Sequence, residues 1–196
     1  MHDAPGSDPL ALLATWHQEA LKIGAREPDA MTLATATREG RPSARVVLFK
    51  GLSGGRVQFV THYTSRKGRE IEDNPEVALV FFWPELMRQV RIEGLASRAA
   101  AADSDAYFRS RPRESQLGAW ASSQSEVVSS REVLEQRFVE AEQRFRGRDV
   151  DRPPGWGLYQ VQARSVELWL SAPHRLHDRF CYERAGEGWA LTRLYP

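Results

Sequence analysis

Between residues 31 and 97 the chain is a succession of short runs rich in Val, Leu, Phe and Thr, each closed by turn residues. The runs span 31–37, 43–52, 56–62, 76–83 and 89–97, with hairpin-like breaks at Glu39-Gly40 and Ser53-Gly54-Gly55. Strands spaced this closely leave no room for the long crossovers that a parallel sheet needs, so the stretch predicts an antiparallel sheet or barrel. One segment, 65–74, breaks the rhythm as a short, charged helical turn stopped by Pro75.

The flanks are more helical. Asp8 is a good cap, Pro9 suits a first helical turn, and Leu10, Leu13, Trp16, Ala20 and Ile23 form an apolar stripe before Gly24. A helix is predicted over 101–110, ended by Pro112, because the residue before a proline avoids helical dihedrals. Another is predicted from Ser129, where Ser129-Ser130-Arg131-Glu132 reads as a capping box. Its stripe is Val133, Leu134, Phe138, Ala141 and Phe145, and Gly147 closes it. After Pro153-Pro154-Gly155 come strands over 156–170 and 179–194, the last pair turning near Gly186-Glu187-Gly188. The expected fold is mainly β with peripheral helices (α+β), a partly open barrel in one domain over 1–196, with 1–7 as a flexible tail.

Charge excludes some functions. Lys and Arg number 27 against 26 Asp and Glu, so no global field draws the chain to nucleic acid or anionic membrane, and any anion site must come from local clusters. Cys181 is the only cysteine, which rules out an intrachain disulfide and a cysteine-based zinc site, and no metal is expected. Met1 to Pro9 do not resemble a signal peptide and no apolar run could span a bilayer, so a cytoplasmic protein is expected. The Gly-rich nucleotide motifs and H-E-x-x-H are absent.

Three clusters suit anions. Arg45 and Lys50 flank Val46-Val47-Leu48-Phe49, and Arg66-Lys67 open the charged turn after Ser65. Arginine forks and N–H groups at a helix start are common phosphate holders, although each cation alone more often reads as solvated surface charge. Arg45 and Lys50, five apart, would face opposite sides of a regular strand, so either the strand bends or they serve different ligand parts. Tyr107 and Arg111, four apart on one helix face, with Ser115 beyond Pro112, could hold a second phosphate or simply cap a helix. Finally, Trp169, Arg175, His177 and Arg179 would share one side of an extended segment that Pro173 interrupts, and would suit an anionic aromatic ligand. Charge and spacing alone point only to one or two phosphorylated small molecules.

The strings narrow this. Arg45-Val46-Val47-Leu48-Phe49-Lys50, Ser65-Arg66-Lys67, Arg88-Gln89-Val90, Ser110-Arg111-Pro112-Arg113-Glu114-Ser115-Gln116-Leu117-Gly118-Ala119-Trp120, Gln124-Ser125, Glu167-Leu168-Trp169, His174-Arg175-Leu176-His177-Asp178-Arg179-Phe180 and the closing Arg193-Leu194-Tyr195-Pro196 resemble the pyridoxamine 5'-phosphate oxidase family, in that family's order. The resemblance implies a split β-barrel, FMN-binding homodimer with two sites at the subunit interface. It implies that Arg45, Arg66 and Lys67 hold the FMN phosphate, with Val46, Val47, Leu48, Lys50, Val60, Thr61 and Gln89 also at the cofactor. Gln124, Ser125, Trp169 and Arg179 would come from the partner subunit. Lys50, Tyr107, Arg111 and Ser115 would hold the substrate phosphate, and Arg175 and His177 would lie over the substrate ring as catalytic residues. The implied reaction oxidises pyridoxamine 5'-phosphate and pyridoxine 5'-phosphate to pyridoxal 5'-phosphate, with O2 reduced to H2O2. The family's longer basic N-terminal segment is matched here only by residues 1–7, and Val60 stands where many relatives carry an aromatic residue. A sister flavin oxidase acting on an unphosphorylated aromatic substrate, and a non-catalytic binder of FMN or pyridoxal phosphate, are the alternatives.

Overall fold

The computed structural model describes residues 6–196, so most of the tail expected at 1–7, and most of the stretch read for a signal peptide, lie outside the described residues. Helix α1 (Pro9–Lys22) starts as its sequence predicts, with the Asp8 carboxylate accepting the Leu10 N–H at 2.9 Å. It buries Leu10, Leu13, Trp16 and Ala20; Ile23 caps the helix and is exposed.

Among the described residues nine strands follow one antiparallel scheme: β1 (Ala30–Ala36), β2 (Pro42–Leu48), β3 (Leu52–Ser53), β4 (Arg56–His62), β5 (Glu76–Trp83), β6 (Arg88–Arg98), β7 (Trp156–Leu170), β8 (Asp178–Ala185) and β9 (Gly188–Leu194). Between them lie α2 (Arg66–Asp73), α3 (Ala101–Ser110), α4 (Arg113–Ala121) and α5 (Arg131–Arg144). The order is β2-β1-β5-β6-β7-β4-β3, with β8 and β9 branching from β7. Strand β7 makes the branch possible. One edge runs along β6, while the other is shared, Trp156–Val161 pairing with β4 and Ser165–Leu170 with β8. The sheet forks there and stays open.

The sheet has two unlike faces. Leu33, Leu79, Ile92, Val166 and Tyr182 lie in register across five strands and are buried, forming the main core with α1. On the opposite face the equivalent row is Val46, Thr32, Val80, Arg91, Glu167 and Cys181, and Val46, Leu48 and Phe82 are exposed. A second core lies under the helices, where Phe108, Leu117, Phe145, Val150 and Trp156 cluster.

Three boundaries differ from the sequence reading. The strand expected over 43–52 ends at Leu48, because the Phe49 N–H donates to the Asp29 carbonyl and the Lys50 N–H to the Gln58 carbonyl, and Gly51 takes a φ of +96°. That bend carries the chain from β1 over to β4. Helix α4 was not anticipated; Pro112, extended, precedes it, and Leu117, Ala119 and Ala121 are buried. Helix α5 begins at Arg131, with Ser130 rather than Ser129 as its cap, and the expected capping box does not form. Only the C-terminal half of its stripe, Ala141 and Phe145, is buried.

Candidate active site

At the β2 edge of the sheet a cleft of about 670 Å³ is lined by Arg45, Val46, Val47, Leu48, Lys50, Val60, Thr61, Lys67, Tyr107, Ser110, Arg111, Pro112, Ser115 and Gln124. The bend after Leu48 removes the parity problem, since Lys50 no longer lies on the strand that carries Arg45 and both line the one cleft. Arg111 is not on the helical face of Tyr107 as expected. It precedes Pro112, is extended (φ −75°, ψ 149°) and caps α3, and it reaches the cleft from the elbow between α3 and α4. Ser115 lies in the first turn of α4, so a helix N-terminus opens beside Arg111.

The cleft is lined by four cations, Arg45, Lys50, Lys67 and Arg111, and by no carboxylate among the described residues. The Arg111 guanidinium lies 4.6 Å over the Trp156 ring, and its Nη1 is buried with no hydrogen-bond partner among the described residues. Burial pushes its pKa down, only partly opposed by Tyr107. Lys67, 8% exposed, donates to Thr61 Oγ1 at 3.3 Å and Gln124 Oε1 at 3.1 Å; burial and then Arg45 lower its pKa, while Glu70 acts the other way. His62 is held below its ordinary pKa by burial, then by Lys67 and Arg111. Three groups are thus each pressed towards their neutral forms, which is the electrostatic signature of a site that gains from an anion. His62 was not singled out in the sequence, where a lone histidine at a strand end carries no signal.

Beneath the β2 end, Arg45 is held by Thr35 Oγ1 (2.6 Å), Ser43 Oγ (2.5 Å) and Glu70 Oε2 (3.2 Å). Arg66 does not line the cleft, but its Nε donates to Glu70 Oε1 at 2.8 Å. Burial would raise the Glu70 carboxyl, yet hydrogen bonds from Ser43, Thr35, Arg66 and Arg45 outweigh it and bring its pKa down to about 2. Sequence reading missed Glu70 too, since it looks like one more charge of a solvated turn.

The remaining expected residues form a separate group. Gln89 pairs in register with Trp169, and Trp169 with Arg179, so the three stand side by side on the face opposite the core. The Trp169 and His177 rings are 4.7 Å apart. His177 Nδ1 accepts the Ala172 N–H at 3.1 Å, which places its proton on Nε2 and makes the ring a donor there. Arg179 donates to both oxygens of Glu167, at 2.9 and 3.0 Å. Arg175 and His174 take left-handed φ values of 62° and 59° in an exposed loop between β7 and β8. The segment 171–177 is not extended, so the shared side of Trp169 and Arg179 comes from register and not from parity.

None of Gln89, Ser125, Trp169, Arg175, His177 or Arg179 lines the cleft. Gln89, expected near the cofactor, pairs in register with Trp169. Gln124, expected from a partner, accepts from Thr61 Oγ1 at 2.7 Å within the same chain, because the segment leaving α4 runs back over β4 and α2. Ser125 follows with a left-handed φ of 74°.

A forked, open antiparallel sheet with a cation-lined cleft at its edge is a split-barrel-like fold. The same fold occurs in a pyridoxamine 5'-phosphate oxidase-related, FMN-binding protein from Nostoc punctiforme, with a TM-score of 0.74 at 18% identity, covering 100% of both chains. Family profiles go further. That of "Pyridoxamine 5'-phosphate oxidase" matches residues 10–145, and that of "Pyridoxine 5'-phosphate oxidase C-terminal dimerisation region" matches 156–196. The chain belongs to the pyridoxamine 5'-phosphate oxidase family of oxidoreductases. Among its relatives, the pyridoxine/pyridoxamine 5'-phosphate oxidase of Rubrobacter xylanophilus is 55% identical over 99% of this chain and 89% of its own. That of a Cyanothece species is 52% identical over 96% and 89%. The crystal structure of PhzG from Burkholderia lata, in complex with tetrahydrophenazine-1-carboxylic acid, superposes with a TM-score of 0.93 at 36% identity, covering 99% of this chain and 95% of that one.

Proposed function

We propose that this protein is an FMN-dependent oxidase that converts pyridoxamine 5'-phosphate and pyridoxine 5'-phosphate to pyridoxal 5'-phosphate, with O2 as acceptor and H2O2 as product. The observation that carries this reading is one cleft bordered by two cation sets. Arg45 and Lys67 lie on the β2–α2 side, and Arg111 with its unpartnered Nη1 lies on the α3–α4 side, near Lys50. Two anions fit such a cleft, one for the cofactor phosphate and one for the substrate phosphate.

Arg45, Lys67 and Arg66, with Thr61 and Gln124, hold the phosphate of FMN. Lys50, Tyr107, Arg111 and Ser115 hold that of the substrate, assisted by the N-terminus of α4. When bound, FMN supplies the two-electron acceptor and returns the electrons to O2. With pyridoxamine 5'-phosphate, one water is consumed and ammonia leaves; with pyridoxine 5'-phosphate, oxidation gives the aldehyde directly. The chain's contribution is to bind, orient and exclude water.

Gln89, Trp169, Arg175, His177 and Arg179 stand outside the cleft of their own chain, and we assign them to the cleft of a second copy in a homodimer. The family's dimerisation region, 156–196, contains four of the five. There His177 donates from Nε2 and Arg175 orients the substrate ring.

The likeness to PhzG favours one other reading, a sister oxidase of an unphosphorylated aromatic. The ligand in that structure carries a carboxylate, which also pairs a guanidinium, so Arg111 suits either anion and the substrate's phosphate decides between the readings. Anaerobic addition of pyridoxamine 5'-phosphate to the FMN-loaded protein should bleach the flavin bands, and air should restore them. Bleaching by unphosphorylated pyridoxamine at equal concentration would favour the sister oxidase instead.

A further inference from the structure

Helix α2 carries Lys67, which lines the cleft, together with Arg66 and Glu70, and Glu70 is buried, its side chain 7% exposed. Its two oxygens are fully engaged. Oε2 accepts from Thr35 Oγ1 (2.5 Å), Ser43 Oγ (2.6 Å) and Arg45 (3.2 Å), and Oε1 accepts from Arg66 Nε (2.8 Å). Thr35 and Ser43 are register partners on β1 and β2, so one carboxylate ties α2 to both strands. Four hydrogen bonds from Arg45 then go to Leu33 O, Thr35, Ser43 and Glu70, leaving Nε–H uncommitted. Arg66, exposed along most of its side chain, is anchored only through Nε, which leaves both terminal nitrogens for an anion.

Long cationic side chains lose rotamer freedom when they grip a ligand, and a fixed carboxylate behind them removes that loss beforehand. Like charges brought together would otherwise push Arg45, Arg66 and Lys67 apart. We propose that Glu70 is a positioning residue for the flavin phosphate, holding Arg45 and Arg66 in the geometry that distinguishes a phosphorylated flavin from an unphosphorylated one. The proposal rests on the reading above that FMN phosphate binds at Arg45, Arg66 and Lys67. Glu70 itself touches neither flavin nor substrate.

Apoprotein titrated with FMN and with riboflavin, followed by quenching of flavin fluorescence, separates the possibilities, because riboflavin shares the ring system and lacks the phosphate. In Glu70→Ala, FMN affinity should fall about tenfold or more, as expected for releasing two ordered side chains, with riboflavin affinity unchanged. Glu70→Gln retains the shape and one acceptor, folds more readily, and should show a smaller loss in the same direction. Equal losses for both flavins would mean a purely structural role and overturn the proposal. So would tighter FMN binding in Glu70→Gln, which would make Glu70 a charge that opposes the phosphate. A wild-type protein with no preference for FMN over riboflavin would instead refute the phosphate site itself, and the inference with it.

Discussion

Arg111 is the residue whose role is written most directly in its surroundings. A guanidinium with a buried, unpartnered nitrogen above an indole ring gains from an anion that completes it. Arg111→Ala should therefore raise KM for pyridoxamine 5'-phosphate by about one to two orders of magnitude, the scale of a lost charge-assisted hydrogen bond of ~1.5–3 kcal/mol, with FMN content intact. An unchanged KM in steady-state assays would remove Arg111 from the substrate site. That an arginine stands at a helix end, with Tyr107 and Ser115 close to it in sequence, was legible from the chain. Its isolation was not, because that depends on Trp156 and Phe108 closing around it. Glu70 and His62 show the opposite case: nothing in their sequence neighbourhood sets them apart, and only partners brought to them by the fold give them meaning.

Helix α2 has eight residues, too short to be stable alone, and it is placed by a close approach at its first turn. A Cβ at Gly68 would lie 2.1 Å from the Tyr63 carbonyl oxygen and 2.8 Å from that of His62, both backbone atoms that cannot swing aside. Gly68→Ala should push the helix off β4 and carry Arg66, Lys67 and Glu70 with it. The expected result is loss of FMN retention together with a destabilisation of about 2–4 kcal/mol, read by thermal unfolding of the apoprotein. Wild-type FMN retention in that variant would show that α2 does not set the phosphate site. The charged turn and its stop at Pro75 were visible in the sequence because capping and proline effects are local. Helix α4 was hidden, since its apolar positions, Leu117, Ala119 and Ala121, do not follow a clean helical stripe and its burial is decided by α5.

For the whole molecule, two expectations follow from charge and symmetry. Glu70 has a folded pKa of about 2 against an ordinary 4.5, so its stabilisation is complete above pH 4.5 and is lost as pH falls towards 2. Apoprotein melting temperature should drop across that window, by the equivalent of ~3 kcal/mol at most, and Glu70→Gln should flatten the drop. A dependence unchanged by that substitution would assign the acid sensitivity to other carboxylates. The division between the cleft and the Trp169–Arg179 face gives the second. If each site draws on two chains, Arg111→Ala and Arg175→Ala proteins, each nearly inactive at substrate concentrations well below the raised KM of Arg111→Ala, should recover about a quarter of wild-type activity there when unfolded and refolded together in equal amounts, since half the dimers are hybrids with one intact site. No recovery would place both residues in the same chain's site.

What the amino-acid sequence determined by itself was local. Alternation and turn residues specified antiparallel strands, Asp8 and Pro9 started α1, Pro112 ended α3, and the arginine-rich strings carried the family resemblance. These depend on dihedral preference and side-chain period, which act over a few residues. The tertiary structure alone decided that Lys50 turns into the cleft with Arg45, that Thr61 meets Gln124 across 63 positions of the same chain, and that Gln89, Trp169 and Arg179 line up away from that cleft. Each of these follows from the pairing of distant strands and from the fork in β7, whose two halves choose different neighbours. Pairing of that kind is selected by burial of the whole sheet against α1, a global free energy to which no short stretch of chain contributes enough to reveal the outcome.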